Sequence, residues 1–404
     1  MASFAWFIPR LIEGSGGHRT MLEHARALEA RGHQCHLYLE GSHSDPGRGA
    51  RQIEELFGYR FERVRYGWDA VAPADAAVAT IWYSAAIVRS LPFECARLYF
   101  VQDWEACFNP MGDAYLMAEN SYLYGLTPIT IGRWLTHELG SRFEVPAYYF
   151  DFGANLDIYR PLPSNARKKA VCFIYQPDKP RRCSRIGIEA LGIVKHRMPD
   201  TRIVLYGSSP KDKGNIWFDH EHLGLLSLDE CNALYNRCAV GLCLSSSNPS
   251  RVPFEMMAAG LPVVELWREN TLYDFPEAAM TLSHQTPECI AESILRLLDS
   301  PAQCDAMGQA GAAFMRERPL AQETEQFCES AEAVLAGHTP QLGSVSRMYS
   351  AAPQTSRHYV GKLPASIRQR LISPPNAYVN SLPPALRRVL GWGARKVRRM
   401  LNYG

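Results

Sequence analysis

Residues 2–8 form an apolar run, Ser3 apart, that ends at Pro9, the pattern of a buried strand. A glycine-rich turn follows, Glu13-Gly14-Ser15-Gly16-Gly17-His18, and then Met21, Leu22, Ala25 and Leu28 recur at helical spacing. Gly32 stops that helix, and residues 35–39 read as the next strand. Strand, glycine turn, helix, strand opens a doubly wound α/β sheet. Further strands are expected over 77–82, 97–102 and 127–131, with helices between them. Residues 151–169, with Pro161, Pro163 and Asn165, read as a connection between domains. The pattern then restarts. Strands are expected over 170–175, 201–206, 239–244 and 263–266, and helices over 184–196, 228–237, 254–259, 286–299, 301–317 and 321–336. Two successive α/β units account for most of the chain.

The last 66 residues break the pattern, and composition explains how. Over 404 residues, 47% hydrophobic and 21% charged content is that of an ordinary globular chain, which excludes wholesale disorder, collagen and a coiled-coil rod. A formal net charge of +2 excludes nucleic acid as a partner of the chain taken whole. That figure is a cancellation: residues 1–338 hold 32 basic and 41 acidic residues, whereas 339–404 hold 11 basic and no acidic ones. From Leu386 the apolar positions fall at 386, 389, 390, 397, 400 and 401 with bases between them. This predicts a basic amphipathic helix on a flexible tether, a form suited to an anionic membrane surface, although a solvated basic tail fits the same composition. Gly391 and Gly393 weaken that helix by about 1 kcal/mol each. The expected division is therefore 1–160, 161–338 and 339–404.

Eleven scattered cysteines form no C-x-x-C pair, and the spacing of Cys231, Cys238 and Cys243 fits no zinc site. Inert thiols in a reducing cytosol are expected. The first nine residues lack a basic segment followed by an apolar core, so no signal peptide is expected. No stretch approaches 18 apolar residues, so no spanning helix is expected either.

Four constellations carry candidate chemistry. In the turn at Gly14–Gly17, Gly16 and Gly17 let backbone approach a ligand closely at a helix start, which favours anions, though a plain tight turn fits too. In the stretch from Ser245 to Val264, a strand runs into a polar loop, a helix bearing Glu255, and the turn Gly260-Leu261-Pro262. One carboxylate at the C-terminal edge of a parallel sheet suits two sugar hydroxyls, and equally suits a helix dipole. From Tyr175 to Arg185, a strand ends in a loop bearing Arg181 and Arg182, whose forked donors suit phosphate oxygens, or merely solvent. The strand ending at Gln102 delivers Gln102, Asp103 and Glu105 toward the same edge, where a carboxylate takes a proton from an attacking hydroxyl or caps a helix. Asp219-His220-Glu221-His222 resembles a metal set only in composition, because neighbours in a strand point to opposite faces.

These pieces, in this order over about residues 4–335, resemble family 4 of the GT-B glycosyltransferases. The resemblance is carried by the glycine turn, Arg31-Gly32-His33, the run Phe152 to Pro161, and Glu255 with Ala258-Ala259-Gly260-Leu261-Pro262-Val263-Val264. Within that family, Gln102-Asp103-Trp104-Glu105, Ala118-Glu119-Asn120-Ser121-Tyr122, Tyr175 to Arg181 and His222-Leu223-Gly224-Leu225-Leu226-Ser227 resemble the bacterial dTDP-rhamnosyltransferases. The resemblance implies two Rossmann-like domains across a cleft, a nucleotide-sugar donor on the second and an acceptor on the first. It implies Glu255 at the ribose, Arg181 and Arg182 at the diphosphate, and Tyr175, Ser247, Arg251, Gly16 and Gly17 around the donor. Gln102 and Glu105 then bind the acceptor, and Asp103 activates or orients its hydroxyl. The family usually carries two glutamates; Glu255 matches the second and Ser247 stands where the first belongs, a departure that touches the contact to the donor sugar or its phosphates. No metal or other cofactor is expected, since arginines and helix dipoles carry diphosphate charge and no D-x-D motif is present. The sequence thus predicts an enzyme of the cytoplasmic membrane face that transfers a deoxyhexose to a surface polysaccharide or lipid-linked glycan. A non-catalytic subunit of the same fold and a nucleotide-sugar epimerase are the alternatives.

Overall fold

The structure, a computed structural model, describes residues 1–163, 167–210, 216–353 and 363–372. One compact unit covers Met1–Ser356 and a second Arg357–Gly404. The first unit is built on two wholly parallel sheets.

The first sheet uses β1 (Ser3–Ile8), β2 (Gln34–Leu39), β3 (Val64–Tyr66), β4 (Ala76–Ala79), β5 (Ala96–Val101), β6 (Thr127–Ile131) and β7 (Tyr148–Phe150), in the order β3-β2-β1-β4-β5-β6-β7. Its helices are α1 (Gly16–Ala30), α2 (Arg48–Phe57), α3 (Trp82–Arg89), α4 (Asp113–Ser121) and α5 (Arg133–Phe143). The second sheet uses β8 (Lys168–Ile174), β9 (Arg202–Tyr206), β10 (Glu221–His222), β11 (Cys238–Leu242), β12 (Val263–Leu266) and β13 (Met280–Ser283), in the order β10-β9-β8-β11-β12-β13. Around it lie α6 (Ser184–Arg197), α7 (Leu228–Arg237), α8 (Val252–Ala258), α9 (Pro287–Asp299) and α10 (Pro301–Arg316). Central strands are buried on both faces, which is why they read as continuous apolar runs.

Local chemistry sets the ends of these elements. Ser227 and Glu230 form a reciprocal capping box at the start of α7, and Thr286 caps α9. The guanidinium of Arg167 donates to the carbonyls of Tyr235, Cys238, Ala259 and Gly260, so one cation satisfies the C-terminal ends of both α7 and α8.

The last long helix, α11 (Leu320–Leu335), follows the second sheet in the chain but packs on the first. Its Phe327 sits in an aromatic cluster with Trp6, Phe100, Phe150 and His24. Arg31, which follows α1, grips Glu325 and Glu332 of α11. The start of the acid-free segment is also pinned. The backbone amides of Met348 and Tyr349 donate to Leu272 O, the Tyr349 hydroxyl accepts from Leu282 N at 3.2 Å, and Arg347 pairs with Glu269. The acids that meet this strap belong to the body. A short helix, α12 (Ala365–Ile372), is described in the second unit. The amphipathic helix expected from Leu386 lies outside the described residues.

Candidate functional site

The C-terminal edges of the two sheets face each other, and the loops leaving those edges meet. After β1, Ser15 caps α1 by accepting from His18 N at 3.4 Å. Gly17 lies against Gln102, where a Cβ would stand 3.7 Å from Oε1. Gly14, in the left-handed region at φ +68°, faces the Leu225 side chain of the second half. Gly16 has open space beside it.

After β5 the chain turns through Gln102 and Asp103 into a 3-10 turn over Glu105–Phe108, and two neighbouring acids part company. Asp103 faces the second half: Oδ1 accepts from Asn248 N at 2.8 Å and from Trp104 N at 2.9 Å, and Oδ2 lies 3.2 Å from Arg181 Nε. Glu105, expected at the acceptor, is turned into its own core. It is 2% exposed and accepts from the Tyr99 hydroxyl at 3.0 Å and from Trp82 N. Burial pushes its carboxyl up to about 8. The 3-10 turn, which an extended reading of the segment does not contain, rotates Glu105 inward. Tyr122 holds this loop: its hydroxyl accepts from Glu105 N and donates to Asp103 O.

The second half supplies cations and one central carboxylate. Leaving β8, Tyr175 is buried, its ring edge-on to His222. Lys179, Arg181 and Arg182 then crowd one short loop. Burial, with Arg181 and Arg182 adding to it, pulls the Lys179 ammonium below its usual range, and burial likewise lowers Arg181. The Arg182 guanidinium donates to the Ser245 hydroxyl at 2.5 Å, and the Arg181 carbonyl accepts from Ser246 N at 2.9 Å. Glu255, in the first turn of α8, is hydrogen-bonded by the Tyr159 hydroxyl. Burial pushes its carboxyl up to about 7, against the pull of Arg251.

Arg251, expected at the donor, is instead committed to the junction of the halves. It donates to Thr20 Oγ1, to Gly153 O and through both terminal nitrogens to Glu323, so four of its five N–H groups have protein partners. Glu323 also accepts from Gly153 N at 2.8 Å, and His24 Nε2 stands 3.3 Å away. Burial lowers His24 to about 4, so the ring is neutral. Asp274 makes a second junction: from the second half it accepts from Arg133 N at 2.8 Å and Trp134 N at 3.4 Å, completing the start of α5. Gly132 is required there, because its φ is +79° and a Cβ would lie 2.5 Å from Phe152.

Ser247 is fully buried, and its hydroxyl has no hydrogen-bond partner among the described residues. Its carbonyl accepts from Asn270 Nδ2, which also donates to Ser245 O at 3.2 Å. Ser245 N in turn donates to Glu265 Oε1 at 2.8 Å. Glu265 is fully buried on β12, its Oε2 is likewise unpartnered, and burial pushes it up to about 8. Sequence reasoning missed Asn248, Glu265, Asp274 and Glu323. Only Asn248 lay in a quoted motif; the others sit in apolar or helical runs with no distinguishing signal.

No group of three or more His, Cys, Asp or Glu among the described residues is arranged to hold a metal ion. His222 donates or accepts at Ser208 Oγ, 3.4 Å away, and His220 meets Phe218 O, so the acidic-histidine run converges on nothing. All eleven cysteines are free. No helix among the described residues is long and apolar enough to cross a membrane.

Known proteins bear out the architecture. Residues 169–295 match the family described as "WsaF, C-terminal domain". An O-antigen biosynthesis protein, RfbC of Myxococcus xanthus, is 31% identical over 204 residues, 48% of this chain and 16% of that protein. The chain thus spans about a sixth of the length of that relative. Among solved structures, a TarM variant of S. aureus in complex with Fondaparinux, alpha-GlcNAc-glycerol and UDP is similar at a TM-score of 0.65 and 9% identity, over 83% of this chain and 100% of that one. Anabaena HepE in complex with UDP and glucose is similar at 0.62 and 14%, over 82% of this chain and 100% of that one. The fold is therefore that of the GT-B glycosyltransferases, two parallel Rossmann-like sheets with their C-terminal edges opposed.

Proposed function

We propose that the chain is a glycosyltransferase that moves a sugar from a nucleotide donor onto a cell-surface polysaccharide or lipid-linked glycan. The observation that carries this reading is the second sheet's edge: three cations in one loop, one desolvated carboxylate nearby, and the glycine turn of the other half opposite. Cations and carboxylate match the two ends of a nucleoside diphosphate. The resemblance to an O-antigen biosynthesis protein and the UDP bound by TarM and HepE support the same reading. The finer assignment, L-rhamnose from dTDP-rhamnose, rests on the motif resemblance around Gln102, Ala118 and Tyr175.

In this reading Glu255 accepts both ribose hydroxyls, and Arg181 and Arg182 take the diphosphate. Arg181 exchanges Asp103 for phosphate oxygens when the donor arrives, and the freed Asp103 carboxylate receives the proton of the acceptor hydroxyl. The acceptor oxygen bonds to the anomeric carbon as the bond to the diphosphate breaks, and the diphosphate leaves with the electron pair. The arginines stabilise that departing charge. Residues 1–160 hold the acceptor, 161–338 the donor, and 339–404 an anionic membrane surface at the cytoplasmic face. A second reading, a non-catalytic subunit, is favoured by Ser247, which puts a buried hydroxyl where the family has a glutamate.

The test is a thermal-shift screen of nucleotide sugars, since a ligand that binds only the folded state raises Tm. A shift by dTDP-rhamnose above that by UDP-sugars, followed by sugar transfer that survives EDTA, supports the proposal. Binding without transfer or donor hydrolysis favours the subunit.

A further inference from the structure

The described residues expose twelve large hydrophobic side chains, and five of them fall within sixteen residues: Phe108, Met111, Leu116, Met117 and Leu123. Met111 is 76% exposed and Leu116 and Met117 are each 51% exposed. Between residues 98 and 132 the exposed positions are 108, 110–113, 116, 117, 120, 123 and 125, and only Asp113 and Asn120 among them are polar. The other acids of this stretch, Asp103, Glu105 and Glu119, are buried, and it contains no Lys or Arg. An apolar ridge of this kind, with Asp113 its single exposed charge, marks an interaction surface.

Two further observations say what it meets. The ridge starts at the candidate site, because Phe108 lies under the Arg181 guanidinium at 4.3 Å. At its far end Arg89 lies over the Tyr124 ring at 5.0 Å, the cation-and-aromatic pairing that suits a headgroup layer. A protein partner of ordinary kind needs a polar rim, and this ridge has almost none. The acid-free segment 339–404 independently matches the charge of an anionic bilayer.

We infer that the ridge formed by the end of the 3-10 turn and α4, from Phe108 to Leu123, dips into the bilayer interface and sets the mouth of the cleft against the membrane. The inference deepens the proposed transferase reading: a lipid-linked acceptor then offers its sugar at Asp103 while its lipid stays in the bilayer. Attraction through the basic segment acts through charge, whereas the ridge acts through apolar burial, so salt separates them.

The experiment is co-sedimentation of the full chain with neutral phosphatidylcholine vesicles at about 0.5 M salt, where charge is screened to within a few Å. The wild type is expected to bind. The triple variant Met111→Ser, Leu116→Gln, Met117→Gln is expected to bind roughly tenfold or more weakly, in line with the apolar area lost, at unchanged Tm. Leu162→Gln, which removes an exposed leucine outside both the ridge and the basic segment, is expected to bind as wild type. Should the triple variant lose its cooperative melt, the single Met111→Asp variant repeats the measurement at the most exposed position. Equal binding by wild type and variants, or no binding of the wild type to neutral vesicles, overturns the inference. So does a dimer in sedimentation equilibrium that the triple variant abolishes, since the ridge then serves a second copy. Vesicle binding requires no sugar transfer, so failure here and failure of the transferase reading are separately visible.

Discussion

The two edges of the cleft are built from opposite materials. The first sheet offers settled structure: a glycine turn, a capped helix, and an Asp103 loop already tied to Tyr122, Asn248 and Arg181. The second sheet offers unspent chemistry: crowded cations, a desolvated Glu255, and the unpartnered oxygens of Ser247 and Glu265. The difference teaches which side is poised for a ligand. Buried polar groups without partners are costly, but they occur beside both edges, Trp104 Nε1 and Asn109 Nδ2 among them on the first, so it is the crowded cations and Glu255 that set the second edge apart.

The largest loss is expected at the junction that holds the edges in register. Glu323→Ala leaves Arg251 buried without its carboxylate, and denaturant unfolding should lose about 3–5 kcal/mol. A loss below about 1 kcal/mol would mean that the halves are held chiefly by apolar contacts such as the Phe152–Phe254 stack.

At the second edge, Glu255→Ala should weaken nucleotide-sugar binding by roughly 10–100-fold in calorimetry, the value of hydrogen bonds to a charged group. Unchanged affinity would remove Glu255 from the donor. At the first edge, Asp103→Asn should lower kcat by about 100-fold or more while donor affinity changes far less. Full activity would reduce Asp103 to a tie between the halves.

The smallest expected effect concerns pH. Glu105 and Glu265 are pushed up to about 8 and Asp274 to about 7, all chiefly by burial. Each binds a proton more tightly folded than unfolded, so stability falls as pH rises from the ordinary carboxylate range toward 8. Tm should decline from about pH 5.5 to 8.5 in steps that Glu265→Gln makes shallower. A profile that Glu265→Gln leaves unaltered would place that carboxyl outside the titration.

Much of the fold was legible in the chain. The strands at 127–131 and 263–266 and the helix at 228–237 have the bounds expected of them, because short, mainly apolar or β-branched segments bounded by turns mark buried strands and helical spacing marks a helix. The strand expected over 77–82 ends at Ala79, since Trp82 already begins α3. Edge strands β3, β7 and β10, two or three residues long, carried too little apolar signal to be read. Glu265 was illegible for a different reason: inside Val263–Leu266 it looks like a strand residue, and only the folded loop above it supplies Ser245 N.

By itself the sequence determined the two α/β units, the glycine turn, the loops that leave the strand ends, and the separation of an acidic body from an acid-free end. These are consequences of neighbours in the chain: periodicity, capping and composition. Tertiary structure alone decided that Asp103 faces Arg181 while Glu105 faces the core, that Arg251 serves the junction, and that α11 returns to the first sheet. Glu105 is turned by partners 6 to 23 residues away and the others by partners about 70 to 300 away, and a side chain's direction is set by what packs against it rather than by its place in the chain.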